Sequence, residues 1–361
     1  MQMNESISTW IKKNFFDTPA SACTSLVLGL AVLWIGWKIC DWAFLSAVWT
    51  ADVNACRAGE GACWGFVAEK WRLILFGRFP FEEQWRPAAA TLLVMCMLVL
   101  SGLPLMWRCG RLRLLAAAWV AALAGFFLLM YGGAFGLARV GTDLWGGLPL
   151  TVIITFVGMT LSSPIGILLA IGRRSRMPII SSLSTTYIEI VRGVPLITVL
   201  FVAAFVFPLL LPSSFKTDAF WRVAVAIALF QAAYMAETVR GGLQTIPNGQ
   251  YSAARSLGMT PRQVYQYVVL PQALVAIIPA FVNSLISCFM DTSLVTVVSM
   301  QDLLGSLRLA LGDAQWRGFF IEGYVFISLV YFLLSYAVSR YSLWLERRLT
   351  GKKRRELPDL R

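Results

Sequence analysis

A chain of 361 residues that is 58% hydrophobic and only 14% charged, with a mean hydropathy of +0.69, is an integral membrane protein and not a soluble globular one. It contains no histidine, which excludes the usual haem ligands, His-based zinc sites and Ser-His or Cys-His nucleophile pairs. The only Gly-Lys step is Gly351-Lys352, so there is no G-x-x-x-x-G-K-[ST] phosphate loop and the chain is not expected to hydrolyse ATP itself.

In chain order, apolar blocks of near-bilayer length predict an all-α protein with about eight transmembrane helices. They lie at roughly 22–48, 88–107, 113–131, 147–172, 187–211, 219–239, 273–290 and 322–344. The first block is long and lacks a small-residue cleavage site, so it reads as an uncleaved anchor. Residues 1–145 form an N-terminal extension of three spans, with a long loop rich in Trp and mixed charge after the first. Cys56 and Cys63 share that external loop in the run CRAGEGAC and are a candidate disulfide. Most of the other cysteines sit in apolar segments, as small buried side chains. Trp34, Trp37, Trp42 and Trp49 suit a membrane interface, and the extension reads either as a lipid-facing scaffold or as a contact for a partner. The segment 137–147, LARVGTDLWGG, joins it to the remainder.

The net charge of +12 follows topology and does not indicate nucleic acid. Basic residues alternate with the spans: Lys12 and Lys13, then Arg108, Arg111 and Arg113, then Arg173, Arg174 and Arg176, then Arg240, Arg255 and Arg262. The tail, 346–361, adds Arg347, Arg348 and the run 352–355. By the positive-inside rule both termini are cytoplasmic, and the tail is a topology anchor near anionic lipid.

Polar groups inside the spans mark candidate pathway or gate residues, because leaving them in lipid is costly. Glu189 and Arg192 are three apart on one helical face and are expected to pair, either beside an inner gate or as a structural ion pair. Pro195 follows and predicts a bend. Gln231, Tyr234 and Glu237 share a face of the sixth span. Asn283 and Ser287 are one turn apart on the seventh, and Asp291 lies at its outer end. Each set either lines a passage for a zwitterion or ties neighbouring helices together.

Between the sixth and seventh spans lies a punctuated polar insert. Pro247 and Asn248 open a short helix, and Gly258 closes it in the left-handed conformation that glycine tolerates. Thr260 caps a second helix, with Pro261 at its first position and Gln263 completing a capping box. That helix is expected to stop at Pro271. A mere connection does not need such punctuation, so the insert reads as a docking element.

Ser252-Ala253-Ala254, Gly258 and Val268-Val269-Leu270-Pro271 resemble the E-A-A-x3-G-x9-I-x-L-P signature of permease subunits of ATP-binding-cassette (ABC) importers, with matching spacing throughout. The stretches AYMAETVRGGLQTIPNGQ (233–250), YIEIVRGVPLI (187–197) and MDTSLV (290–295) resemble the polar amino-acid branch of that family. The resemblance covers 146–345 and implies a five-helix, MetI-like permease core with cytoplasmic coupling helices at about 246–271. The three-span extension further resembles one of the two permeases of the general L-amino-acid ABC transporter of Gram-negative bacteria.

The resemblance implies alternating access in a bacterial inner membrane, driven by two copies of a cytoplasmic ATPase that carries ATP and Mg. A periplasmic amino-acid-binding protein and a second, different permease complete the assembly; this chain itself holds no cofactor or metal. Ser252, Ala253, Ala254, Gly258, Pro261, Leu270 and Pro271 would form the ATPase-coupling surface. Two positions depart from the family pattern: Ser252 stands where Glu is usual, and Met290 where Lys is usual. The rival readings are a stand-alone secondary transporter or channel, and an intramembrane enzyme built on a Ser-Lys or paired-Asp site.

Overall fold

The computed structural model describes residues 14–103, 111–210, 212 and 217–356, with side chains throughout except at 111–112 and 347–356. Lys12, Lys13 and Arg108 lie outside these residues, as do the side chains of Arg111, Arg347, Arg348 and 352–355. The helices are α1 (Pro19–Cys40), α2 (Val53–Ala58), α3 (Trp64–Phe76), α4 (Trp85–Gly102), α5 (Arg111–Tyr131), α6 (Gly147–Arg173), α7 (Pro178–Gly193) and α8 (Leu196–Phe201). There follow α9 (Phe207–Leu210), α10 (Ala219–Gln244), α11 (Asn248–Ser256), α12 (Pro261–Gln263), α13 (Leu270–Ala276), α14 (Ile278–Asp291), α15 (Leu303–Leu311) and α16 (Phe320–Glu356).

Among the described residues, seven segments are long and apolar enough to cross a membrane: Pro19–Leu45, Phe81–Gly102, Arg113–Tyr131, Gly147–Arg173, Ala219–Gln244, Ile278–Val298 and Phe320–Glu346. Pro178–Gly193 and Leu196–Leu210 pass the same test only as a pair, and they meet at 101°, as in a broken span or a re-entrant loop. The all-α membrane fold is borne out, but the single span expected at 187–211 is not. A proline disfavours helical backbone in the residue before it. Val194 is accordingly extended (φ −104°, ψ 136°) and Pro195 caps the next helix, so the chain turns there.

The described chain separates into two compact units. The first comprises Met1–Lys70 with Ala314–Gly323. Its α1 starts from a reciprocal Thr18–Ser21 cap and contains no buried residue. The loop that follows is partly ordered into helix: Asp52 accepts from Asn54 N–H (2.9 Å) and starts α2. Cys56 and Cys63 are joined in a disulfide, with Cα atoms 5.3 Å apart. Cys63 N–H donates to the buried Glu322 (2.9 Å), and Phe66 packs on Trp316 at 5.9 Å between ring centroids. The extension's loop thereby clasps the segment leading into α16.

The second unit comprises Trp71–Asp313 with Tyr324–Arg361, so α4 and α5 fold with the helices after residue 145 and the units do not divide there. Arg86 is fully buried and donates to the carbonyls of Leu129 (2.7 Å) and Ala138 (2.8 Å), fastening α4 to the end of α5 and the turn beyond it. Trp119 of α5 stacks on Phe156 of α6 at 4.4 Å.

At the centre α6 and α10 approach closely. A Cβ at Gly158 would lie 2.9 Å from Ile227, and one at Gly166 would lie 2.6 Å from Met235. Small residues permit such backbone contact between membrane helices. The numbering rises together along both helices, so they run parallel, and the chain between them must return across the membrane. At the end where α6 begins, Gly146 and Gly147 pair with Gln301 and Asp302. Asp302 is buried, accepts from Gly305 N–H (2.9 Å) to start α15, and also receives Thr296 Oγ1 (3.0 Å) and Tyr331 Oη (3.2 Å). A buried carboxylate needs this many partners.

Candidate functional site

The insert between α10 and α14 folds back on itself. Pro247 caps α11, and Gly258, at φ +77°, reverses the chain after it. Thr260 and Gln263 form the reciprocal cap of α12: Gln263 Oε1 accepts from Thr260 N–H (2.8 Å) and Thr260 Oγ1 from Gln263 N–H (3.4 Å). Tyr251 and Tyr265 meet edge to face at 6.1 Å between the two arms.

Two expectations are corrected here. The helix does not stop at Pro271. It widens over Val264–Val269, where Leu270 N–H reaches back to the Tyr265 carbonyl, and continues as α13 through Pro271. The wider turn shifts the hydrogen-bond register, so a residue without an N–H fits early in the resumed helix. Nor does Ala254 lie on the surface: it is 3% exposed and fills the interior of the insert, while Ser252, Ala253, Gly258, Pro261 and Pro271 are exposed and Leu270 is half-buried. Beside them stands Leu257, 80% exposed. Sequence reasoning passed it over, although an apolar residue next to the turn glycine of a polar insert was a signal.

The insert is mechanically tied to the core. Gly242, near the end of α10, lies against α13 so closely that a Cβ would be 2.3 Å from Ile277. One turn earlier is a cluster of charges. Glu237 receives Arg173 at 2.6 Å, Arg240 at 2.7 Å and Arg192 at 3.8 Å, and Arg173 also reaches Glu189 at 2.9 Å. The Arg192 guanidinium stands 5.6 Å from the centre of the Tyr234 ring. Glu189 and Arg192 therefore pair with different partners and not with each other, because Arg173 at the end of α6 enters between α7 and α10. Arg173 read in the sequence only as a topology charge. Three arginines against two glutamates leave the cluster one positive charge in excess.

The remaining candidates fall elsewhere. Gln231 is buried (5% exposed) on the side of α10 that meets Cys288. On α14 and its approach, Ala276, Ala280, Asn283, Ser287 and Met290 are exposed and recur at helical spacing, while Asp291 is half-buried. A stripe carrying an exposed amide and hydroxyl in the middle of a membrane span does not suit lipid. It suits water or a polar protein surface. Among the described residues no group of His, Cys, Asp or Glu is arranged to hold a metal ion.

Comparison with known proteins agrees with this geometry. Residues 162–351, more than half the chain, match the family of binding-protein-dependent transport system inner membrane components. The inner membrane amino-acid ABC transporter permease protein YhdY of Escherichia coli K12 is 42% identical over 350 residues, which is 95% of this chain and 93% of that protein. The glutamate/glutamine/aspartate/asparagine transport system permease protein BztC of Rhodobacter capsulatus is 35% identical, over 94% of this chain and 93% of its own length. The probable glutamine ABC transporter permease protein GlnP of Bacillus subtilis is 30% identical, but matches 57% of this chain with 94% of its own. A crystal structure of an amino acid ABC transporter with histidines superposes with a TM-score of 0.51 at 31% identity, covering 56% of this chain and 92% of that one. The chain belongs to the family of binding-protein-dependent ABC transporter inner membrane permeases.

Proposed function

We propose that this chain is one half of the membrane pathway of an importer for amino acids, driven by ATP hydrolysed on a separate subunit. The observation that carries the reading is the insert: a self-packed pair of helices, turned at Gly258, with Leu257 and small residues facing outward and with its arms continuing into α10 and α13–α14. Such a knob suits a groove on a cytoplasmic ATPase, and this reading has the insert and both termini in the cytoplasm. Two ATPase copies carrying ATP and Mg, a second and different permease, and a periplasmic amino-acid-binding protein complete the assembly in a bacterial inner membrane.

When the ATPase closes, the insert moves and takes the end of α10 and the α13–α14 rod with it. The Glu237 cluster holds the same ends of α6, α7 and α10 together and is the inner gate. The stripe with Asn283 and Ser287 faces the passage shared with the second permease. The family's amino-acid members support the substrate class, and selectivity within it rests largely on the binding protein.

The test is uptake of a labelled amino-acid mixture by cells depleted of ATP while the proton gradient is maintained. Uptake is expected to stop. Uptake that continues without ATP and collapses with the gradient would restore the secondary-transporter reading.

A further inference from the structure

Helix α7 turns its apolar side outward. Its buried side is small and polar: Ser181 Oγ donates to the Arg173 carbonyl (2.9 Å), and Ser184 is packed beside Gly172, with Ile188 the one fully buried aliphatic residue. Its outer side carries Ile179 (74% exposed), Leu183 (67%) and Ile190 (61%), which fall on one narrow stripe at 100° per residue. Water does not favour such a surface. Just before the helix stand Arg174 and Arg176, both exposed, and no acidic residue occurs from 174 to 186.

Length limits which part of this segment can cross the bilayer. Because α6 and α10 run parallel, residues 174–218 must recross the membrane. Leu196–Leu210 supplies only 15 residues, about 22 Å of helix, against a hydrocarbon core of about 30 Å. The 101° turn at Val194–Pro195 directs α7 away from that crossing. The two ends of α7 touch the end of α6 through Ser181 and the Glu237 cluster through Glu189 and Arg192.

We propose that α7 is an interfacial helix of the inner leaflet, in the orientation given above, and that Arg174 and Arg176 bind the headgroups of anionic phospholipid while Ile179, Leu183 and Ile190 lie among acyl chains. A second permease fits the stripe less well. It is built of bulky aliphatic residues, whereas this chain's own close helix contacts use Gly158 and Gly166. The far end of α7 delivers Glu189 and Arg192 to the gate cluster, so lipid held at one end steadies the gate at the other.

The test is native mass spectrometry of the intact complex from phosphatidylcholine vesicles containing graded phosphatidylglycerol. Wild type is expected to retain phosphatidylglycerol, and R174Q/R176Q to bind it roughly thirtyfold more weakly, whereas R255Q/R262Q in the insert retains it as wild type does. A photo-reactive residue at Leu183, with both arginines kept, is expected to label lipid. Equal retention by R174Q/R176Q and wild type, or labelling of a protein chain from Leu183, would overturn the proposal. Neither readout uses ATP or an amino acid, so a failure here is separate from a failure of the importer reading.

Discussion

Two helices of this chain are exposed along much of their length and are exposed to different things. On α1 no residue is buried, and its outward positions include Val32, Leu33 and Trp34, each more than 60% exposed, with no polar stripe among them. On α14 the open positions include Asn283 and Ser287, while the opposite side buries Val282, Cys288 and Phe289. A helix with no buried residue and no polar stripe on its outward side needs only acyl chains around that side. One that turns an amide and a hydroxyl outward at mid-span needs water or another subunit. Exposure alone does not identify a pathway; the chemistry of what is exposed does.

The largest test of this contrast is to exchange the chemistry. Leu33→Asp puts a carboxylate into lipid at a cost of about 2.5–3.5 kcal/mol, so little folded protein is expected on size-exclusion chromatography of membrane extracts. Ser287→Asp, at the middle of α14, is expected to leave that yield near wild type and to abolish uptake. Equal loss of folded protein from both changes would erase the distinction.

A smaller effect is expected on the α1 side from removing the disulfide. The Cys56–Cys63 bridge closes a short loop and stabilises its unit by about 2 kcal/mol. Cys56→Ser with Cys63→Ser is therefore predicted to hasten proteolysis of the extension's loop while uptake persists. Loss of transport would assign that unit a share in the pathway.

On the α14 side, Gly258→Val forces a branched residue to φ +77°, a strain of about 1–2 kcal/mol. A roughly tenfold drop in substrate-stimulated ATP hydrolysis is predicted, with the protein still folded. Smallest is Glu237→Gln, which leaves three arginines with Glu189 as their one carboxylate. Its cost of about 1 kcal/mol should appear as a lower melting temperature of the purified complex and as raised ATP hydrolysis without substrate. An unchanged basal rate would remove the cluster from the gate.

Much of this was legible in the sequence. Bilayer-length blocks placed the spans, and capping chemistry at Pro247, Gly258, Thr260 and Gln263 described the insert, because both are local effects. What was missed depends on relations between segments. The partners of Glu189 and Arg192 follow from α6 and α10 running parallel, which brings Arg173 to the cluster. No spacing within 187–197 contains that information. Passage of the helix through Pro271 depends on the wide turn before it, and the burial of Ala254 depends on the second arm folding over the first. The apolar stripe of α7 was present as Ile179, Leu183 and Ile190, but the expected start of that span at 187 cut it in two.

The most direct measurement is the intact mass of the complex drawn from native membranes through a tag on this chain, after crosslinking in the membrane. The account predicts this chain with two ATPase chains and one different permease, whose presence would cover the Asn283–Ser287 stripe. A lone chain or a simple self-oligomer, persisting after crosslinking, would contradict it.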